Sequence, residues 1–147
     1  MDTVKDFDKI LDYFDFIATE WDCDNFLPSE FFNSETARKL GIVNCPNYPR
    51  VVLSNLLRIV KFFLVPVRKR INMPITISSG YRCQKLNEAV GGAARSYHME
   101  GRAVDIYCAN NKALDDAIVA VNEANLKAHL PVLKEFIRYN NFIHIAL

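Results

Sequence analysis

Histidine is scarce in this chain, with three in 147 residues, and one of them stands in an unusual setting. The stretch "SYHMEGRAVDI" puts His98 and Asp105 seven positions apart, with Gly101 between them, and runs directly into a strand-like apolar pattern. On one continuous helix the two would lie about 10.5 Å apart along the axis, too far for both to hold one ion. Gly101 permits a bend, and the alternation after it puts Ala103, Asp105 and Tyr107 on one face and Val104, Ile106 and Cys108 on the other. A carboxylate on an inner strand needs a positive partner, because an unpaired buried charge is costly. His144, inside the closing apolar run "FIHIAL", raises the same question. Two histidines, one aspartate and an open fourth position would suit a catalytic zinc ion. The alternative is an Asp105 ion pair with Arg82 or Arg102, with both imidazoles hydrogen-bonded to backbone.

Other reactive side chains point to less. Cys23, Cys45, Cys83 and Cys108 form no C-x-x-C pair, which argues for free thiols over a zinc knuckle or a redox motif. His129 falls in a helical pattern beside Lys127 and reads as solvated.

The elements that must position these residues follow from periodicity. Residues 4 to 20 carry Val4, Phe7, Ile10, Leu11, Phe14 and Ile17 at helical spacing. Ser34 can cap "SETARKL", which Gly41 ends. Pro49 opens a long helix to about residue 71, with Val52, Leu53, Leu56, Leu57, Val60, Phe63, Leu64 and Val67 as its buried stripe and a kink expected at Pro66. "ITIS" reads as a strand, "CQKLNEAV" as a helix, "GGAAR" as a flexible connection and "RAVDIYC" as a second strand. In the helix "NKALDDAIVAVNEANLKAH" the apolar side is Leu114, Ala117, Ile118, Val121 and Ala124. The last stretch predicts a hairpin turning at Asn140-Asn141 in a type I′ turn, which requires positive φ. The expected fold is α+β: N-terminal helices, then a small, mainly antiparallel sheet flanked by helices, with the candidate zinc site on the sheet. One domain over 1–147 is expected, mainly helical in 1–73 and carrying sheet and metal site in 74–147.

Composition narrows the function. A formal charge of +1 and no basic cluster with interleaved aromatics disfavour a nucleic-acid partner, and with it a metal-dependent nuclease. The most apolar run, "LLRIVKFFLVPV", is too short and too charged to span a bilayer. The opening "MDTVKDFDKILDYF" does not read as a secretory signal, so synthesis in the cytoplasm is expected.

Residues 77 to 106 resemble the signature of the zinc D-alanyl-D-alanine carboxypeptidase-like metallopeptidases, a group that includes phage-encoded L-alanyl-D-glutamate endopeptidases. The likeness lies in S-G-Y-R, an asparagine five positions after that arginine, V-G-G, and then S-x-H-x-x-G-x-A-x-D. "FLPSEFFNSETARKLGI" and "FIHIAL" resemble the opening and closing segments of one branch, so the resemblance covers most of residues 26 to 147. It implies that His98, Asp105 and His144 ligate Zn2+. It also implies that Arg82 binds substrate near the scissile bond, where a guanidinium can stabilise an oxyanion. Ser96 matches a small polar residue that contacts the peptide or simply forms a turn. Tyr81 and Tyr97 could stack on substrate or be packed inside.

Two positions depart from the family. Cys83 replaces the common serine after S-G-Y-R and is an additional ligand, an oxidation-sensitive site or a helix-start residue. Asn141 stands three residues before the last histidine, where well-known members carry the carboxylate base, and an amide cannot accept a proton. If Asn140-Asn141 is a two-residue loop, Glu135 lies on the His144 face, diagonal to it. Glu100 is the other candidate. The resemblance therefore implies a zinc peptidase, carboxypeptidase or endopeptidase, acting like an endolysin on peptidoglycan stem peptides and reaching the wall by lysis or in a virion; a monomer without membrane or nucleic-acid partner is expected. The rival is a weak or inactive zinc-binding module that binds cell-wall peptide, because of Asn141.

Overall fold

A computed structural model of the chain describes residues 25–147 together with Lys9 and Asp12. The helix expected over residues 4 to 20 lies outside the described residues. A 3-10 turn, Pro28–Phe31, leads into α1, Glu35–Leu40, whose first turn is capped by the Ser34 hydroxyl accepting from the Ala37 amide at 3.1 Å. Gly41 closes it at φ 66°.

The long helix begins at Pro49 as expected. It runs as α2, Pro49–Ile59, passes through a π-helical turn, Val60–Leu64, and continues as α3, Val65–Ile71. Its expected stripe is buried, and Ile59 joins it. The π turn comes just before Pro66, whose missing N–H orphans the Phe62 carbonyl. Asn125, buried on a distant helix, supplies the donor at 3.0 Å.

Four strands make one antiparallel sheet: β1, Thr76–Ser79; β2, Ala103–Tyr107; β3, Glu135–Arg138; and β4, Ile143–Ala146, in the order β1-β2-β4-β3. Among the described residues two further helices follow, α4, Gln84–Ala89, and α5, Asn111–Lys127. Strand alternation gives the sheet two chemically different faces. Val104, Ile106, Ile143 and Ile145 point into the core shared with Leu53, Leu56, Phe63, Leu64, Leu114 and Ile118. Asp105, His144, Glu135 and Ile137 occupy the alternate positions. The fold is thus the expected α+β arrangement, with the cluster of possible metal ligands beside the sheet.

Three local expectations are corrected. In α5 the buried row is Leu114, Ala117, Ile118, Val121 and Asn125, and Ala124 is exposed, because the Phe62 carbonyl of the π turn needs the Asn125 amide more than a methyl group. His129 is exposed as expected, but it stands beyond the helix at φ 56°, and Leu130 N donates back to Asn125 O at 2.9 Å to close the helix. The β3–β4 hairpin has the expected register, yet neither asparagine in its loop takes positive φ, so it is not type I′. The loop is tethered from outside, by Asn111 Nδ2 donating to the Asn141 carbonyl at 3.2 Å.

Candidate metal centre

The register lines up one residue per strand across the sheet. Ser79 pairs with Asp105, Asp105 with His144, and His144 with Ile137. Ser79 reaches that row through a bulge, since Ile77 pairs with Ile106 and Ser78 is the extra residue. Ser78 Oγ donates instead to the Asp105 carbonyl at 3.1 Å.

His98 arrives from outside the sheet, on the 3-10 turn Tyr97–Glu100, whose first residues are held by the Ser96 hydroxyl accepting from His98 N at 3.2 Å. Gly101 follows at φ 70°, and a Cβ there would strike the Val52 carbonyl. This is the bend that brings His98 back over Asp105. His98 Nε2, Asp105 Oδ1 and His144 Nδ1 meet in one cluster in which the ligand atoms lie within 4.8 Å of one another.

The hydrogen bonds prepare this cluster for a cation. His98 Nδ1 donates to the Gly80 carbonyl at 2.7 Å, which leaves Nε2 of the neutral ring with its lone pair. That Nε2 is buried and has no hydrogen-bond partner, for although Asp105 Oδ1 is 3.3 Å away it lies off the bonding direction. An orphaned imidazole nitrogen facing a carboxylate and a second imidazole is what an N,O-ligated divalent ion requires. His144 Nδ1 contacts Asp105 Oδ1 at 2.8 Å, and its Nε2 contacts Glu135 Oε1 at 3.0 Å.

Charge within the cluster is strongly coupled. Burial alone would raise the Asp105 pKa, but the close approach of the His144 and His98 rings to its carboxylate, with the positive charge they carry when protonated, brings it down to about 2. Burial disfavours the charged His144 ring, yet hydrogen bonds to Asp105 and Glu135 outweigh it and hold its pKa above the ordinary value. Arg82 pays for burial with a lowered pKa, partly restored by Asp105.

Arg82 is fixed on three sides. Its Nε donates to Ser79 Oγ at 3.0 Å, Nη1 to Asn87 Oδ1 at 3.2 Å and Nη2 to Asp105 Oδ2 at 3.3 Å. The Arg82–Asp105 ion pair therefore stands beside the cluster of possible metal ligands, and the two alternatives left open on sequence grounds do not exclude each other. Asn87 is buried and also donates to the Ala93 carbonyl at 2.8 Å, tying the 90–93 loop to the arginine. A Cβ on Gly92 would collide with Asn87 Oδ1, which gives V-G-G its physical reason.

The cluster opens into a cavity of about 600 Å³ lined by Arg82, Arg95, Ser96, Tyr97, Glu135 and Tyr139 among others. Glu135 reaches His144 as the hairpin register requires. Glu100 does not line the cavity; its Oε2 faces Arg102 at 3.4 Å. Asn141 is exposed and also lies outside the cavity lining. Cys83 stands at the start of α4, donates its amide to Asn44 Oδ1 at 2.8 Å and is not among the lining residues. Tyr81 is buried against Phe32, and burial with neighbouring thiols pushes its phenol up to about 12. Tyr97 stacks under the Arg102 guanidinium, 4.6 Å from the ring centroid.

Sequence reasoning missed Asn44. Its buried amide bonds the Phe32 and Tyr81 carbonyls as well as the Cys83 amide, holding the S-G-Y-R loop. Nothing in "VNCP" marks it, because its partners lie 12 and 37 or more positions away.

No curated protein matches the chain. The solved L-Ala D-Glu endopeptidase ChiX of Serratia marcescens is similar at 22% identity over 67% of this chain and 81% of that one, with a TM-score of 0.44. The family model described as peptidase M15 matches residues 24–146, nearly the whole length over which the metal cluster, its arginine and the supporting loops are built. The chain belongs to the peptidase M15 family.

Proposed function

We propose that this protein is a zinc-dependent peptidase that hydrolyses peptide bonds in the stem peptides of bacterial peptidoglycan. The observation that carries the reading is the buried, unpartnered His98 Nε2 beside Asp105 and His144. His98 Nε2, Asp105 Oδ1 and His144 Nδ1 would hold Zn2+, which when bound supplies a Lewis acid that polarises a carbonyl and acidifies water. A carbohydrate-linked peptide is a substrate chemistry consistent with the family and with a polar, open cavity.

The chain's own residues account for the remaining steps. Arg82 is oriented by three acceptors and lines the cavity, so its remaining N–H groups can receive a carbonyl oxygen as it gains charge. Glu135 Oε1 accepts from His144 Nε2, which leaves Nδ1 for the ion and fixes the ring. Its Oε2 has no partner among the described residues. Glu135 thus takes the proton of the attacking water and returns it to the leaving amine, in place of the family carboxylate that Asn141 lacks. Ser96 shapes the turn beneath His98 and borders the peptide.

Digestion of labelled peptidoglycan, with mass spectrometry of the fragments, tests the reading and the bond cut together. Zinc-loaded protein is expected to release peptide fragments with new amino groups, and His98→Ala to release none. Zinc-loaded wild type that binds stem peptide but releases no fragment would make the protein a non-catalytic binding module.

A further inference from the structure

Arg95 is a charged residue of the cavity lining that the reaction above leaves unused. Four side chains of that lining are ordinarily charged: Arg82, Arg95, Asp105 and Glu135. Arg82 is paired with Asp105 at 3.3 Å, and Glu135 with His144 at 3.0 Å. Arg95 makes no hydrogen bond or ion pair among the described residues. It is exposed and follows Gly91, Gly92, Ala93 and Ala94, so it is the long side chain of that segment. The same cavity takes apolar surface from Val90, Ile137 and Tyr139, the last two 40% and 51% exposed.

The charges at this site do not balance once it holds a divalent cation. Asp105 and Glu135 then face that cation as well as Arg82, and Arg95 adds a further positive charge at the cavity wall. A guanidinium is always charged and offers a planar pair of donors that matches a carboxylate. We propose that Arg95 is a specificity-determining residue that receives a free carboxylate of the substrate peptide, so the site selects acidic peptides over the same peptides with that group amidated. The inference rests on the peptidase reading for its substrate class. Arg82 does not serve this purpose, because three of its donors are already held by the protein.

Binding of a stem pentapeptide to zinc-loaded protein, measured by calorimetry, tests the assignment independently of turnover, with fragment release followed in the same samples. Three peptide forms are compared: all carboxylates free, the C-terminal carboxylate amidated, and the internal acidic carboxylate amidated. For wild type, one amidated form should bind about tenfold more weakly, which identifies the carboxylate recognised. Arg95→Ala should bind the free peptide at that weaker level and should no longer distinguish that form, with zinc content and melting temperature unchanged. Arg95→Lys should recover part of the difference. Wild type that binds all three forms alike, or binds none, would overturn the assignment, as would an Arg95→Ala variant that weakens all three equally. Discrimination without fragment release would keep Arg95 and reject the peptidase reading.

Discussion

His144 touches a carboxylate at each ring nitrogen, and this makes its proton the sensitive point of the metal-free site. Its folded pKa is raised, so the charged ring stabilises the fold most below its unfolded value of about 6.5. That contribution is lost as pH rises through the folded pKa. Asp105 acts in the opposite sense: depressed to about 2, it stabilises the fold above about 3.9 and loses that contribution as pH falls toward about 2. Chelator-treated protein should therefore melt highest in mildly acidic buffer and lose stability toward both extremes, as calorimetry across pH would record. A melting temperature rising steadily from neutral into alkaline buffer would contradict the pairing. The role proposed for Glu135 divides into two separable tasks. Glu135→Gln keeps a group that can contact His144 but removes the proton acceptor, so zinc should still bind at one equivalent while hydrolysis falls roughly 10²-fold or more. Glu135→Ala should weaken zinc roughly 10- to 100-fold as well, because His144 loses its orienting partner. Equal zinc affinity in the two variants would remove the orienting task. The involvement of Asp105 and His144 was legible as polar residues inside apolar strand patterns. Which nitrogen of His144 Glu135 would meet was not, because that depends on the ring's rotation over the sheet.

The elements around the site are held by buried amides that substitute for backbone partners. Asn125 compensates for Pro66, so Asn125→Ala should cost about 1–3 kcal/mol by leaving the Phe62 carbonyl unpaired, measurable by urea unfolding. Pro66→Ala restores a donor in the helix and should reduce that cost; an unchanged cost would mean that Asn125 acts otherwise. Gly92→Ala should fold but push Asn87 off Arg82, lowering hydrolysis with zinc content intact. Loss of zinc in step with activity would show that the loop supports the metal cluster directly. Among the described residues, helix and strand positions followed from periodicity, and the hairpin register that brings Glu135 to His144 followed from a two-residue loop at Asn140-Asn141. Ala124 was misplaced because 3.6-residue spacing admits both 124 and 125, and apolar character favours alanine. The Phe62 carbonyl, 63 positions away, and the Pro131 carbonyl decide for Asn125. The Asn140-Asn141 loop misled for a related reason: asparagine tolerates positive φ without requiring it, and the loop is held instead by Asn111.

Across the whole molecule, one apolar face of the sheet builds the core with α2, α3 and α5, and the other presents the ligand row to the cavity. No helix among the described residues is long and apolar enough to cross a membrane. The α+β architecture was legible from the change of period after Pro74, from helical to alternating. The cavity was not, because it arises where the 90–97 loop, the hairpin and the His98 turn meet. Function depends on the His98 turn, β2 and β4 delivering His98, Asp105 and His144 to a single ion. Crystals grown with zinc and measured at its absorption edge test this most directly. The account predicts one strong anomalous peak about 2.0–2.2 Å from His98 Nε2, an Asp105 oxygen and His144 Nδ1, with a fourth position open to solvent. A peak bound elsewhere, or none at this cluster with zinc in excess, would contradict it.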